Sequence, residues 1–267
     1  MRALAGGGGD VTVEFSRKEL GAIERFLAAC TVPLIYKLDE GAGVHGTGTF
    51  FEVDGRAMLI TAGHVLKDVD VERIGVPDRG GAVSEISYLG HARVHYTRDT
   101  DAYDVGVIEL LDETFLRLVR SGWHFLGPSN VAEPGPADQR YVVAGYPRST
   151  VTYEDATLTP SSLTQIYTVP YDEEVEGSRG EFDLFLRYRS KAESISGLPM
   201  QTPRLCGVSG ASVYALLPKV ASQVWAPEKL LKIAGIQVSA VHGKYVRAKT
   251  WNLVSHVISL VGAKRAT

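Results

Sequence analysis

Cysteine is nearly absent: only Cys30 and Cys206 occur in 267 residues. That is too few for the disulfide framework a secreted protein of this size commonly carries, so a reducing, cytoplasmic setting is expected. Charge of one sign is lacking as well. The 28 basic and 31 acidic residues leave a formal charge of −3, which excludes a broad cationic surface for nucleic acid. No apolar run approaches the ~18 residues of a membrane helix, so a membrane is not an expected partner either. Met1 to Ala5 holds one basic residue and runs into Gly6 to Gly9 without the apolar core of a signal peptide. No repeat of fixed period occurs.

What is present is a 45% apolar chain, sufficient for a sizeable core in one or two units. Ser16 with Glu19 three places later forms a capping-box pattern, and Leu20, Ile23, Phe26, Leu27 and Cys30 recur at helical spacing. A helix with one docking stripe is expected there, ended by Pro33. From residue 32 onward the signals change to short β-type runs between turn residues. The clearest is a hairpin of 48–51 with 57–61 around Asp54-Gly55, a pair suited to the positive φ angles of a type I′ turn. Further strands are expected at 86–89, 92–96 and 105–110. After the Pro- and Gly-rich stretch 127–139 they resume near 141–145, 162–169, 182–189, 211–217, 231–239 and 245–249. Trp251, Val254, Val257, Ile258 and Val261 then share one face of a terminal helix. The expected organisation is an N-terminal extension with a helix over 1–31, a first β unit over 32–126, a second over 127–248, and a C-terminal helix and tail over 249–267.

Three local patterns carry chemistry. Leu59-Ile60-Thr61-Ala62-Gly63-His64 is an apolar strand that ends in small residues and presents an imidazole, the side chain suited to a general base near neutral pH. Asp104-Val105-Gly106-Val107-Ile108 sets a carboxylate at the mouth of an apolar strand, where a half-buried acid needs a partner such as an imidazole N–H. Asp99 and Asp101 are rivals that do not abut the apolar run. Cys206-Gly207-Val208-Ser209-Gly210 places a serine between glycines. A tight loop there aims the N–H groups of Gly207 and Ser209 at one point, as an oxyanion hole requires. Ser212 is the alternative hydroxyl, without the flanking glycines. His91 and His95 share a strand face but have no third ligand beside them, so no metal centre is expected. Cys206, three residues before the serine, reads as a small buried thiol near the cleft, in preference to a nucleophile or redox switch. The acidic run Asp172-Glu173-Glu174 with Glu176 reads as an exposed loop.

The order His64, Asp104, Ser209, with gaps of 40 and 105 residues, resembles the chymotrypsin/trypsin superfamily. The fragments Thr-Ala-Gly-His, Asp-Val-Gly-Val and Gly-Val-Ser-Gly carry the likeness, joined by Val142 to Pro147 and by Ala234 to Ser239. It spans about residues 32–260, and the whole resembles the stand-alone peptidases of that family found in prokaryotes. The resemblance implies an all-β fold of two six-stranded antiparallel β-barrels with an added helix at each end. It implies serine endopeptidase activity through an acyl-enzyme, no cofactor, and a protein or peptide substrate. It also puts Pro203, Arg204 and Gln237 in the specificity pocket, and Val238 and Ser239 on the strand that pairs with substrate backbone.

Three departures refine that expectation. Pro203 occupies the place of the trypsins' pocket aspartate, and 200–208 holds no acid, so preference for Arg or Lys is not expected. Gln237 stands where glutamyl endopeptidases and picornaviral proteases carry histidine, which points to an acidic or polar side chain before the scissile bond. Val208 replaces the aspartate that pairs with a newly cut N-terminus in digestive enzymes. A methyl-bearing side chain cannot hold an ammonium, so activity is expected to be constitutive or under the control of a regulatory protein partner or the N-terminal helix. The alternative from another class is a catalytically silent double barrel that binds peptides or partners through the same cleft.

Overall fold

In the computed structural model, residues 2–4, 15–39, 41–78, 85–96, 102–132, 135, 139–154, 157–160, 163–175, 179–193, 199–219 and 225–263 are described. The Gly6 to Gly9 lead-in, Asp99, Asp101 and Glu176 lie outside them. A three-residue strand β1 (Arg2–Leu4) comes first, then helix α1 (Arg17–Cys30). The capping box forms as its sequence suggests. Ser16 Oγ accepts from the Glu19 N–H at 3.3 Å, and Glu19 Oε2 accepts from the Ser16 N–H at 2.7 Å. All five stripe residues are buried.

Seven strands make the first sheet: β2 (Thr31–Lys37), β3 (Ala42–Val53), β4 (Arg56–Ala62), β5 (Ile74–Pro77), β6 (Ile86–Tyr88), β7 (Ala92–Tyr96) and β8 (Val105–Leu110). They are ordered β6-β5-β2-β3-β4-β8-β7, antiparallel throughout. The β3–β4 turn has Asp54 at φ 52° and Gly55 at φ 69°, as a type I′ turn demands. Several elements escaped the sequence patterns, and the longest is a helix. Helix α2 (Glu113–Gly122) follows β8, started by Asp112, whose carboxylate accepts from the N–H groups of Thr114 and Phe115. The cap signal lies inside a run whose apolar residues also suit a strand, and tertiary packing of Phe115, Leu116 and Val119 decides for the helix.

The second half holds β9 (Arg140–Gly145), a separate hairpin of β10 (Val151–Glu154) with β11 (Thr157–Pro160), and β12 (Thr164–Thr168). It continues with β13 (Asp183–Arg187), β14 (Lys191–Glu193), β15 (Pro199–Gln201), β16 (Ser212–Leu216), a helical turn α3 (Pro227–Leu230), β17 (Leu231–Val241) and β18 (Tyr245–Thr250), then helix α4 (Trp251–Ala263). The sheet order is β13-β18-β17-β16-β9-β12-β1-β14-β15. Among the strand pairings of this sheet in the described residues, only β1–β12 is parallel. The fold is therefore mainly β, two curled antiparallel sheets forming half-barrels with a helix near each end. Their seven and nine strands exceed the expected six through three- and four-residue strands gathered towards one end of each sheet.

Alternation along the strands explains how the halves join. In β9 and β16, Val142, Ala144, Tyr214 and Leu216 belong to the large core shared with the first sheet and with α1 and α4. The intervening Val143, Val213 and Ala215 fill the second half-barrel. Strands buried on both faces fasten one half to the other. No helix among the described residues is long and apolar enough to cross a membrane.

Candidate active site

Register delivers the first pair. The last rung of the β4–β8 ladder joins Ala62 to Val105, so His64, just past the end of β4, and Asp104, just before β8, emerge side by side. Asp104 Oδ2 accepts from His64 Nδ1 at 2.9 Å, and Oδ1 accepts from the His64 backbone N–H at 2.8 Å. The carboxylate side chain is 10% exposed and the imidazole 38%. A carboxylate opposite Nδ1 keeps the proton of the neutral ring there and leaves Nε2 as an accessible base.

Ser209 arrives from the second half, on the loop between β15 and β16. Its approach is a turn in which the Val208 N–H donates to the Leu205 carbonyl at 3.1 Å, with Gly207 at φ 90°, the sign a type II turn needs at its third position. Thr47 of β3 then grips the loop. Its N–H donates to the Ser209 carbonyl at 2.8 Å and its Oγ1 to the Gly207 carbonyl at 3.1 Å. Gly210, at φ 87°, lies so close to Thr47 and Thr61 that a Cβ there would overlap the Thr47 carbonyl and Thr61 Oγ1. The serine loop is thus seated on β3 and β4, the strand that leads to His64. Among the described residues, Val208, Gly210 and Ala211 donate their N–H groups within the fold, whereas those of Gly207 and Ser209 make no backbone hydrogen bond. The Ser209 hydroxyl makes no hydrogen bond to His64 in this structure.

Ser212, the rival hydroxyl, is fully buried and bonded to Thr49 Oγ1. Neither substrate nor base can reach it there.

The expected substrate-binding residues separate into two groups. Gln237 is 1% exposed and clamps the serine loop by its backbone, its carbonyl accepting from the Gly210 N–H at 2.7 Å and its N–H donating to the Ala211 carbonyl at 2.8 Å. Its side-chain Oε1 is buried and has no hydrogen-bond partner. Val238 is buried at a bulge and Ser239 is exposed. Beyond Ile236 strand β17 parts from β16 and pairs only with β18, so among the described residues 238–241 keep one open edge beside the serine loop. Pro203 is half-buried, its carbonyl accepting from the Tyr188 hydroxyl. Burial pushes that hydroxyl up to about 12, so it stays a donor at neutral pH. Arg204 is exposed to solvent.

Thr47 was not singled out from the sequence. Its one signal is the run Gly46-Thr47-Gly48, since glycine inside a strand marks a close approach of another backbone. The two thiols differ sharply, and the expected burial of Cys206 is not found: it sits on the turn before Ser209, where it faces solvent. Cys30 is fully buried and Cys206 exposed, both free, and burial drives the Cys30 thiol far above its usual range. Titration of the native protein with a disulfide reagent should therefore count one fast thiol, rising to two in denaturant. Two fast thiols without denaturant would contradict the burial of α1.

No protein-family model and no curated protein matches the chain. Among solved structures, one similar chain comes from work on the aromatic interactions that drive the coupled folding and binding of the intrinsically disordered Sesbania mosaic virus VPg protein. It is 13% identical over 85% of this chain and 87% of that one, with a TM-score of 0.48.

Proposed function

We propose that this chain is a serine endopeptidase of the trypsin-like kind, with His64, Asp104 and Ser209 as its triad. The observation that carries the reading is the His64–Asp104 hydrogen bond, with an approachable imidazole beside a serine loop in which the Gly207 and Ser209 N–H groups make no backbone hydrogen bond among the described residues. In this mechanism Ser209 Oγ attacks the peptide carbonyl carbon while His64 Nε2 takes its proton. The N–H groups of Gly207 and Ser209 receive the oxyanion. His64 then returns the proton to the leaving amine, and water, activated by the same nitrogen, cleaves the acyl-enzyme ester. Asp104 holds the ring and offsets the imidazolium charge. No cofactor enters these steps. The open edge at 238–241 suits an extended peptide added as one more strand.

A fluorophosphonate probe is expected to label the native protein, with the adduct located on Ser209 by mass spectrometry. Labelling elsewhere, or none, overturns the reading. It would favour the second one, a silent peptide-binding double barrel, which the missing His64–Ser209 hydrogen bond supports. For specificity, the buried Gln237 and the absence of acid in 200–208 favour an acidic or polar side chain before the scissile bond. Cleavage of a peptide library should show that preference, and strong cutting after Arg would refute it.

A further inference from the structure

One buried ion pair lies where the two half-barrels meet, outside the triad. Asp183 of β13 and Lys249 of β18 face each other across one rung. The lysine side chain is 1% exposed and the aspartate 0%, with Nζ and Oδ1 2.7 Å apart. Arg247, two residues earlier on the same face, holds Asp183 with both Nε and Nη2 at 2.9 Å, and the Gly180 N–H donates to Oδ2. Burial works to raise Asp183, but the bonds from Arg247, Lys249 and Gly180 outweigh it and hold the carboxyl below its ordinary value. Its stabilising effect is present above that value and is lost as pH falls through the lowered one, so the carboxylate is charged at neutral pH.

Burying two charges is a poor route to stability, because desolvation offsets most of their attraction. A further role is therefore worth seeking, and the lysine supplies one. Its Nζ also donates to the Ala102 carbonyl at 2.6 Å, a group of the first half-barrel two residues before Asp104. The Tyr103 ring meets the ring of Phe182, just before β13, at 6.3 Å, so two successive residues of the segment entering Asp104 lean on the second half-barrel. Both Asp104 oxygens are occupied by His64 itself; the β4–β8 register holds the residue from its C-terminal side, and this short segment holds it from the other.

We propose that Lys249, held upright by Asp183, is a positioning residue: it ties the Ala102–Asp104 segment to the second half-barrel and sets the Asp104 carboxylate against His64. This rests on the hydrolase reading for its effect on rate, though not for its effect on geometry. Lys249→Met keeps the stem and removes the donors. It is expected to lower kcat about 10²-fold, the scale of a misplacement near 1 Å, with KM within about threefold. It should also weaken or abolish the downfield proton resonance of His64 Nδ1–H. Arg247→Met removes the other cation from Asp183 without touching the Lys249–Ala102 bond, so it should lower Tm while leaving kcat and that resonance unchanged. If Lys249→Met does not fold, the Asp183→Asn/Lys249→Met double variant leaves no buried lone carboxylate and should show the same losses. A folded variant lacking Lys249 with native kcat and an intact resonance overturns the proposal. Were the wild-type protein inactive, the resonance would still decide, and the hydrolase reading alone would fail.

Discussion

Asp104→Asn is expected to reduce kcat by about 10⁴-fold while the protein stays folded. The reason lies in the count of donors and acceptors. Two donors of one residue, the His64 backbone N–H and Nδ1–H, point at two carboxylate oxygens. An asparagine offers one acceptor and one NH₂ group, so one of those contacts becomes donor against donor. The ring escapes by moving its proton to Nε2, which then cannot take the proton of Ser209. Loss of one part-buried hydrogen bond costs about 1–3 kcal/mol, a modest fraction of the stability of a domain. Steady-state kinetics with a thermal melt test this directly. A variant that retains native kcat would show that Asp104 does not orient the base, and the triad assignment would fall with it.

Gly210→Ala is expected to damage fold and site together. A Cβ at φ 87° would overlap the Thr47 carbonyl and Thr61 Oγ1 and lie 3.0 Å from the Ala62 backbone nitrogen. Backbone strain and overpacking together amount to about 3–5 kcal/mol, or a fall in Tm of roughly 10 °C. The neighbours that must give way are the backbones of β3 and β4, the latter leading to His64, so probe labelling of Ser209 should fall more than stability alone explains. Gly55→Ala is the control. Gly55 has φ 69° but nothing within 4 Å of its Cβ position, so it reports the strain without the overlap. Equal losses from the two substitutions would mean that the serine loop does not sit on the first half-barrel as described.

Much of the fold was legible because local chemistry and tertiary context agree. Ser16 and Glu19 cap α1, Asp54-Gly55 turns the β3–β4 hairpin, and the Ala62-Gly63-His64 and Gly207-Val208-Ser209-Gly210 segments occupy strand or loop ends. Where local signals compete, the reading failed: the Asp112 cap of α2 is overwritten by an apolar run that suits a strand equally well. The triplet strands β14 and β15 have too few residues to show any alternation. The candidate site divides in the same way. His64, Asp104 and Ser209 announce themselves by their neighbours in the chain, whereas 234–239 was marked as a substrate-pairing strand only by its resemblance, and its open edge follows from the pairing of the strands.

By itself the sequence determined the β-rich character, the end helices and most strand positions, and it singled out the three side chains proposed as nucleophile, base and orienting acid. Those are properties of residue type and spacing, which act over a few positions. Only the tertiary structure decided that Ala62 pairs with Val105 and so brings His64 to Asp104. It alone seats the Ser209 loop on Thr47, buries Ser212 against Thr49, and makes Lys249 reach Ala102 across the junction of the halves. Each is a contact between residues at least 40 positions apart in the chain, set by strand register and the packing of two sheets, and no local pattern encodes such a distance.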